Sequence, residues 1–299
     1  MHSSPFDKPG RFWRGNIHTH STRSDGKLTP REVIAAYRAQ GYDFISVTDH
    51  FMAKFGWPVI DTSAYRDDSF TTLLGAELHA GETSVGEPWH FVAVGLPLDF
   101  APARDDETPA ELAQRAADAG AFVGIAHPNR YSLTLEEALQ IDAAQAIEVF
   151  NHTTLTHNDR PDSWWLCDQL STRGRRVLAF GADDAHFNAR PDGFGCWIQV
   201  KSEALDPDQL LASLKAGDFY TSQGPEFIDA TVRDGRIRVK CSPATAIFVS
   251  GRGSTARQAR GVDLTEASFP VDPFRCAFFR VTIIDSAGRR AWTNPVWPD

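Results

Sequence analysis

The segment NIHTHSTRSDG, Asn16 to Gly26, sets His18 and His20 two residues apart, with the carboxylate of Asp25 five residues further on. In a strand, residues i and i+2 point to the same side. The pair can therefore present two imidazoles to one ion, with Asp25 reaching over from the following loop. A histidine pair alone is weak, but the same residue types recur at the ends of apolar runs. FISVTDH closes on Asp49 and His50, LLGAELH on Glu77 and His79, and FVGIAHPN on His127. AIEVFN offers Glu148 and Asn151, and VLAFGADDAH closes on Asp184 and His186, again two apart. Taken singly, His50 and His127 could be capping or satisfied core histidines, and Asp184 could cap a turn. Glu77 is harder to dismiss, because an unpaired buried carboxylate is costly. Packing alone does not account for such residues at so many separate strand ends.

The remaining polar residues are weaker candidates. His90 begins a strand, in WHFVAVGL, after what reads as a hairpin from Glu77; His79 is the alternative for the same place. Asp49 and Asp183 neighbour candidate ligands and read as residues that orient them or cap turns. Asn151 reads as support or turn as readily as ligand. His2 and His157 lack supporting context and read as solvated. Mixed imidazole and carboxylate ligands suit Zn²⁺, Mn²⁺ or Fe²⁺, and the lack of cysteine among them excludes a thiolate site. The donors outnumber the places around one ion, which implies about two or three divalent metals with Glu77 suited to bridging. Such a centre lowers the pKa of a bound water, supplies hydroxide at neutral pH and clamps the oxygens of a phosphoryl or acyl group.

The elements that must position these residues follow from patterning. From Asn16 short apolar runs alternate with helical segments, the signature of a parallel α/β fold, either a barrel or an open doubly wound sheet. Strands are expected at about 16–20, 44–48, 72–77, 91–95, 122–126, 146–150, 177–181 and 196–200. Helix starts are marked by Thr29-Pro30-Arg31-Glu32, Thr108-Pro109-Ala110-Glu111, Thr134-Leu135-Glu136-Glu137 and Asp206-Pro207-Asp208-Gln209. A further helix is expected at about 163–172. In parallel folds the carboxyl ends of the strands share one face, where sites are built. After Gly224-Pro225 the pattern alternates apolar and polar residues, with a hairpin expected at Asp234-Gly235. The chain thus divides into a lead-in over 1–15, a body over 16–224 and a small antiparallel β module over 225–299.

Composition bounds the function. With 299 residues, 42% hydrophobic and 23% charged, the chain is ordinary globular protein. A net charge of −9 argues against binding a nucleic-acid backbone. The four cysteines are widely spaced and read as buried reduced thiols. Neither a signal peptide nor a membrane span is visible, so a cytoplasmic protein is expected.

HTHSTRSDG, SVTDH, GAE, AHP and GADDAH together resemble, in order, the motifs of the PHP (polymerase and histidinol phosphatase) family of metal-dependent hydrolases. The resemblance covers about residues 15–222. It implies a distorted (β/α)7 barrel with a two- or three-metal centre. One metal would be held by His18, His20, Glu77 and Asp184. A second would share Glu77 and take His127 and His90, and a third would be held by Asp25, His50 and His186. At the Asp25 position some relatives carry histidine. GDFYTSQGPEF and AWTNPVWP look like the branch named for the carbaryl hydrolases CehA and McbA.

The expected activity is metal-dependent hydrolysis of a small molecule, phosphoesters first. Arg23, Arg130 and Arg190 are the candidate phosphate-binding cations, since arginine suits bidentate phosphate recognition. Each also reads as an exposed loop residue. Asp184 or His186 could shuttle a proton to the leaving group. Carbamate or carboxylic ester hydrolysis is the alternative, with Phe51, Phe55, Trp57, Trp89 and Phe187 lining an apolar pocket or packing in the core. The full ligand set argues against a non-catalytic accessory module.

Overall fold

The computed structural model describes residues 4–298, so His2 lies outside the described residues. The chain runs β1 (Arg11–Asn16), α1 (Pro30–Ala39), β2 (Phe44–Val47), β3 (His50–Phe51), β4 (Thr71–Leu78), β5 (Phe91–Val94), α2 (Pro109–Asp118) and β6 (Phe122–Ile125). It continues through α3 (Leu135–Ala138), β7 (Ala146–Asn151), α4 (His152–Asn158), α5 (Trp164–Thr172), β8 (Leu178–Ala182), β9 (Trp197–Ser202), α6 (Pro207–Ala216) and β10 (Phe219–Ser222). The tail holds β11 (Phe227–Arg233), β12 (Arg236–Gly251), β13 (Ala256–Pro270), β14 (Phe279–Ile284) and β15 (Arg290–Thr293).

Local chemistry explains the helix starts. Thr29, Thr108 and Thr134 each complete a capping box with Glu32, Glu111 and Glu137, and Asp206 accepts from the Gln209 amide. α1 buries Val33, Ile34 and Tyr37, and α2 buries Leu112, Ala113 and Ala116, the spacing of one helical face. α4 was not expected; Asn151 starts it by accepting from the Thr154 amide.

The strands form one ladder in the order β11-β12-β14-β15-β10-β9-β1-β2-β4-β5-β6-β7-β8, with β13 on β12 and β3 on β4. The pairs β1/β2, β2/β4, β6/β7 and β7/β8 are parallel. β5 runs antiparallel to β4 and β6, and β9 antiparallel to β1 and β10. The fold is thus mixed α/β rather than mostly parallel, and its ladder is not a closed barrel. The outer edge of β8 is satisfied by side chains instead of a further strand. Ala179 N donates to Asn294 Oδ1, Gly181 N donates to Thr221 Oγ1, and Thr221 Oγ1 donates to Ala179 O. Beyond β8, His20 N donates to Ala185 O and Asp184 N donates to His18 O, so the sheet curls until its two sides meet at the rim.

The first strand also differs from expectation. It covers Arg11–Asn16, because Arg11 to Gly15 pair with Ser202 to Ile198 of β9. His18 and His20 therefore lie just past the strand, in a segment held by the Thr19–Ala185 bridge. The expected hairpin turn is present, with Asp234 and Gly235 at φ 51° and 70°, as a two-residue turn between twisted strands requires. β15 pairs with β10, so the tail's strands continue the body's sheet.

Inside the curl, Phe44, Phe122, Phe180 and Phe219 pack with Leu210 and Leu214 of α6. Glycine makes room for them: a Cβ on Gly124 would lie 2.5 Å from Phe180 Cε1. The filled interior confines polar chemistry to one rim. Asn294 ties the tail to the body, its Oδ1 accepting from Ala179 N at 2.7 Å and its Nδ2 donating to Gly217 O and Phe219 O. Asn294→Ala removes the partners of all three backbone groups. It should cost about 2–4 kcal/mol, seen as a lower urea midpoint at unchanged m value.

Candidate metal centre

The nine candidate ligands come to the rim from six segments of the chain. His18, His20 and Asp25 follow β1, His50 opens β3, Glu77 lies near the end of β4, and His90 precedes β5. The antiparallel setting of β5, with Glu77 opposite Val92, is what brings its amino end beside Glu77. His127 follows β6, and Asp184 and His186 follow β8. His127 and Asp184 hold left-handed backbone, φ 27° and 57°, which costs on the order of 1–3 kcal/mol each at non-glycine residues. The left-handed turns end their strands abruptly and leave both side chains at the rim.

Glu77 is fully buried at the centre. Its Oε1 lies 2.7 Å from His90 Nδ1, 3.1 Å from His127 Nε2 and 3.4 Å from His18 Nε2. Its Oε2 lies 2.6 Å from His50 Nδ1 and 3.5 Å from His20 Nε2. Asp184 Oδ1 lies 2.9 Å from His20 Nε2 and 3.3 Å from His18 Nε2. Asp25, the most exposed member, has His186 Nε2 and His50 Nε2 each at 3.4 Å.

These donors fit divalent ions on two grounds. Ligands held about 2.1 Å from one ion sit about 3.0–3.4 Å apart, and the contacts around Glu77 and Asp184, from 2.6 to 3.5 Å, bracket that spacing. In addition His18 Nε2, Glu77 Oε2, His90 Nε2 and His127 Nδ1 are buried without a hydrogen-bond partner, a costly state that a cation relieves for the atoms facing the cluster. Ligand atoms converge in the sets His20–Asp25–His50–His186, His18–His127–Asp184 and His18–His20–Glu77, and in a fourth made by His50, Glu77, His79 and His90.

Hydrogen bonds from behind orient the imidazoles. His18 Nδ1 lies 3.0 Å from Glu148 Oε1, while Glu148 Oε2 accepts from His127 N and Asn151 Nδ2. Asn151 Nδ2 also donates to Asp184 Oδ2. Asp49 accepts from Ser21 N, Ser21 Oγ and Ser24 Oγ, shaping the loop that carries Asp25. Asp183 accepts from Tyr37 Oη and from the amides of Phe194, Gly195 and Cys196, a structural role.

Charge is strongly coupled here. Burial opposes ionisation of Glu77, yet His90, His50 and His18 hold its carboxyl well below the usual range. Asp184 is likewise held low against its burial by His18, His20 and His186. His50 is raised to about 10, Glu77 and Asp25 outweighing its burial. Asp184, Glu148 and Glu77 raise His18 well above its ordinary value, again against burial. His20, through burial and its neighbours His186 and His50, falls to about 4.

All nine expected ligands are therefore brought together: His18, His20, Asp25, His50, Glu77, His90, His127, Asp184 and His186. Of the three arginines only Arg130 joins them, its Nη1 3.5 Å from Asp184 Oδ2. Arg23 is exposed and lines a depression of about 420 Å³ with Thr29, Arg31 and Pro58. Arg190 is exposed, and among the described residues no hydrogen bond or ion pair joins its side chain to the cluster. Phe51 and Trp89 are core residues, Trp57 packs against that core, and Phe187 packs on Tyr37; Phe55 alone of the expected aromatics lies over a candidate ligand, 6.1 Å from the His50 ring. Three cysteines are buried and free as expected, whereas Cys276 is exposed. Glu148, offered by the sequence among the strand-end candidate ligands, instead stands behind His18 and His127. Tyr131 was missed, its ring 4.8 Å from that of His90. A larger cavity of about 950 Å³ lies apart, lined by Arg176, Leu178, Phe279 and Trp297 among others, and holds none of these ligands.

No protein-family model matches the chain, and no curated protein matches it. Among solved structures it is similar to a two-domain protein from Bacteroides vulgatus containing a predicted PHP-like metal-dependent phosphoesterase. The identity is 13% over 93% of both chains, with a TM-score of 0.53. That likeness is one of fold. A proposed metal-dependent phosphoesterase from Bifidobacterium adolescentis matches at 18% identity over 68% of this chain and 96% of the other, TM-score 0.45. An amidohydrolase from Chromobacterium violaceum matches at 18% over 57% and 87%, TM-score 0.41. No described helix is long and apolar enough to cross a membrane.

At neutral pH the metal-free site carries protons on His18 and His50, whose pKa values are raised, while His20 is neutral. Cation binding must expel those protons, so loading releases about two per chain and weakens as the pH falls. Calorimetric titration with Zn²⁺ at pH 7 in buffers of different ionisation enthalpy reads the number directly; heats independent of buffer would contradict it. Glu148→Gln should lower metal affinity about 10- to 100-fold by loosening His18, measured by competition with a chelator.

Proposed function

We propose that the protein is a metal-dependent hydrolase of the PHP family, of the branch resembling the carbaryl hydrolases, acting on a small phosphorylated molecule. The observation that carries this reading is the convergence of nine imidazole and carboxylate residues at one rim, with buried Glu77 among them and Arg130 beside Asp184. His18, His20, Glu77 and Asp184 would hold one ion. Glu77, His127 and His90 would hold a second, and Asp25, His50 and His186 a third, with zinc, manganese or iron suited to the donors. Bound there, divalent ions supply an activated water and neutralise charge developing on a phosphoryl group. The curled body, brought edge to rim by the Thr19–Ala185 bridge, supports its description as a distorted (β/α)7 barrel.

The chain's own residues divide the remaining work. Arg130 is about one-fifth exposed, and Asp184 outweighs burial to keep its guanidinium charged, which suits a phosphate oxygen arriving at the rim. Asp184, held ionised, serves as an anion and not as an acid. His186, its Nδ1 2.7 Å from Asp184 O, turns Nε2 toward Asp25 and the third ion position, so it would deliver a proton to the leaving group only when it is not holding that ion. Phosphoester hydrolysis is favoured over carbamate or carboxylic ester cleavage by the charged Arg130 beside Asp184, while Phe51 and Trp89 are committed to the core and only the rings of Phe55 and Tyr131 stand beside the ligands.

Metal-loaded protein should hydrolyse p-nitrophenyl phosphate or bis-p-nitrophenyl phosphate and leave 1-naphthyl N-methylcarbamate intact; turnover of the carbamate alone would replace this reading with the other. His18→Ala and Glu77→Ala should abolish hydrolysis and lower metal content together. Arg130→Ala should raise KM for phosphate substrates about tenfold or more, the loss of one charge-assisted contact, and an unchanged KM would make Arg130 structural.

A further inference from the structure

Glu77 has two faces, and the ion positions assigned above leave one of them crowded with lone pairs. Around Oε1 stand His18, His90 and His127. Around Oε2 stand His50 Nδ1 at 2.6 Å, His20 Nε2 at 3.5 Å and His79 Nε2 at 3.8 Å, and the His50 and His79 nitrogens are 2.9 Å from each other. His79 is nearly buried, 7% exposed, and its tautomer is fixed by the backbone: Nδ1 lies 3.1 Å from Trp89 O, which can only accept. Nδ1 therefore carries the hydrogen, and Nε2 turns a lone pair into the cluster. A carbonyl holding one imidazole nitrogen while the other faces a ligand set is the usual support of a metal-bound histidine.

We infer that His79 is a metal ligand, its Nε2 and Glu77 Oε2 seating an ion on the face of Glu77 turned away from His127, with His90 and His50 Nδ1 beside it. One ligand atom from each of these four residues lies within 4.8 Å of the others. The inference rests on the metal-centre reading above and extends it, since that reading offers His79 only as an alternative to His90, not as a ligand beside it, and takes His50 only toward Asp25. His50 stands between two ion positions, its Nδ1 at Glu77 and its Nε2 3.4 Å from Asp25 Oδ2. A second histidine on the Glu77 side lets that position be filled without taking His50 from Asp25. The competing role for His79 is that of a positioning residue, accepting a hydrogen bond from His50 Nδ1 and touching no metal.

Ion content per chain separates the two roles without an activity assay. Wild type, His79→Ala, His79→Gln and His79→Glu are equilibrated with Zn²⁺ or Co²⁺, freed of unbound ion and measured by elemental mass spectrometry, with circular dichroism to confirm folding. A ligand role predicts one ion fewer in His79→Ala and His79→Gln, a changed visible Co²⁺ spectrum, and recovery of the lost ion in His79→Glu, whose carboxylate reaches about as far as Nε2. Glutamine fills the site should alanine not fold. Wild-type ion content and an unchanged Co²⁺ spectrum in folded His79→Ala or His79→Gln would overturn the inference while leaving the metal centre standing. Wild-type protein that binds no ion would remove both.

Discussion

The structure turns on one buried carboxylate. Glu77 has no exposure to solvent, and its nearest neighbours are five imidazoles from four other segments of the chain. A carboxylate withdrawn from water this completely is tolerated only when opposite charge surrounds it. Imidazoles supply that charge in the metal-free protein by binding protons and cede it to cations when ions are present. The strong coupling among His18, His50, Glu77 and Asp184 is the electrostatic expression of that demand.

The fold meets the demand by bringing many short elements to a single rim. Parallel strands deliver their carboxyl ends there, and β5, reversed against β4, delivers its amino end and hence His90. Left-handed residues at His127 and Asp184 end their strands sharply. The interior below is filled by phenylalanines and closed by α6, so the ligands gather at the rim and not inside the curl. Closure of the sheet is unnecessary, because Asn294 and Thr221 satisfy the free edge of β8 through their side chains. The C-terminal strands thereby support the strand that leads to Asp184 and His186.

A carboxylate behind the histidines gives the cluster its stiffness. Glu148 lies in the middle of β7, bonded to His18, the His127 amide and Asn151. One side chain thus registers three strand ends against each other, and Asn151 extends the contact to Asp184 while capping α4. A rigid donor set with an arginine at its margin is suited to a compact anion whose oxygens must meet several fixed charges at once.

Much was legible in the sequence, for identifiable reasons. Capping boxes at Thr29, Thr108 and Thr134 are local chemistry, and they place helix starts without tertiary context. The ligand types stood out because histidine and carboxylate at the end of an apolar run conflict with burial unless they share a partner. Strand direction was not legible: nothing local in FVAV separates a parallel strand from an antiparallel one, and the reversal of β5 follows from how it packs against β4 and β6. Nor was the start of β1, since the pairing of Arg11 to Gly15 with β9 is a contact between residues far apart in the chain. The roles of Glu148, His79 and the three arginines also waited on the fold. Residue type and spacing determined which groups can do chemistry; only the tertiary structure decided which atoms face each other, because distance and lone-pair direction across strands are set by packing that no single segment contains.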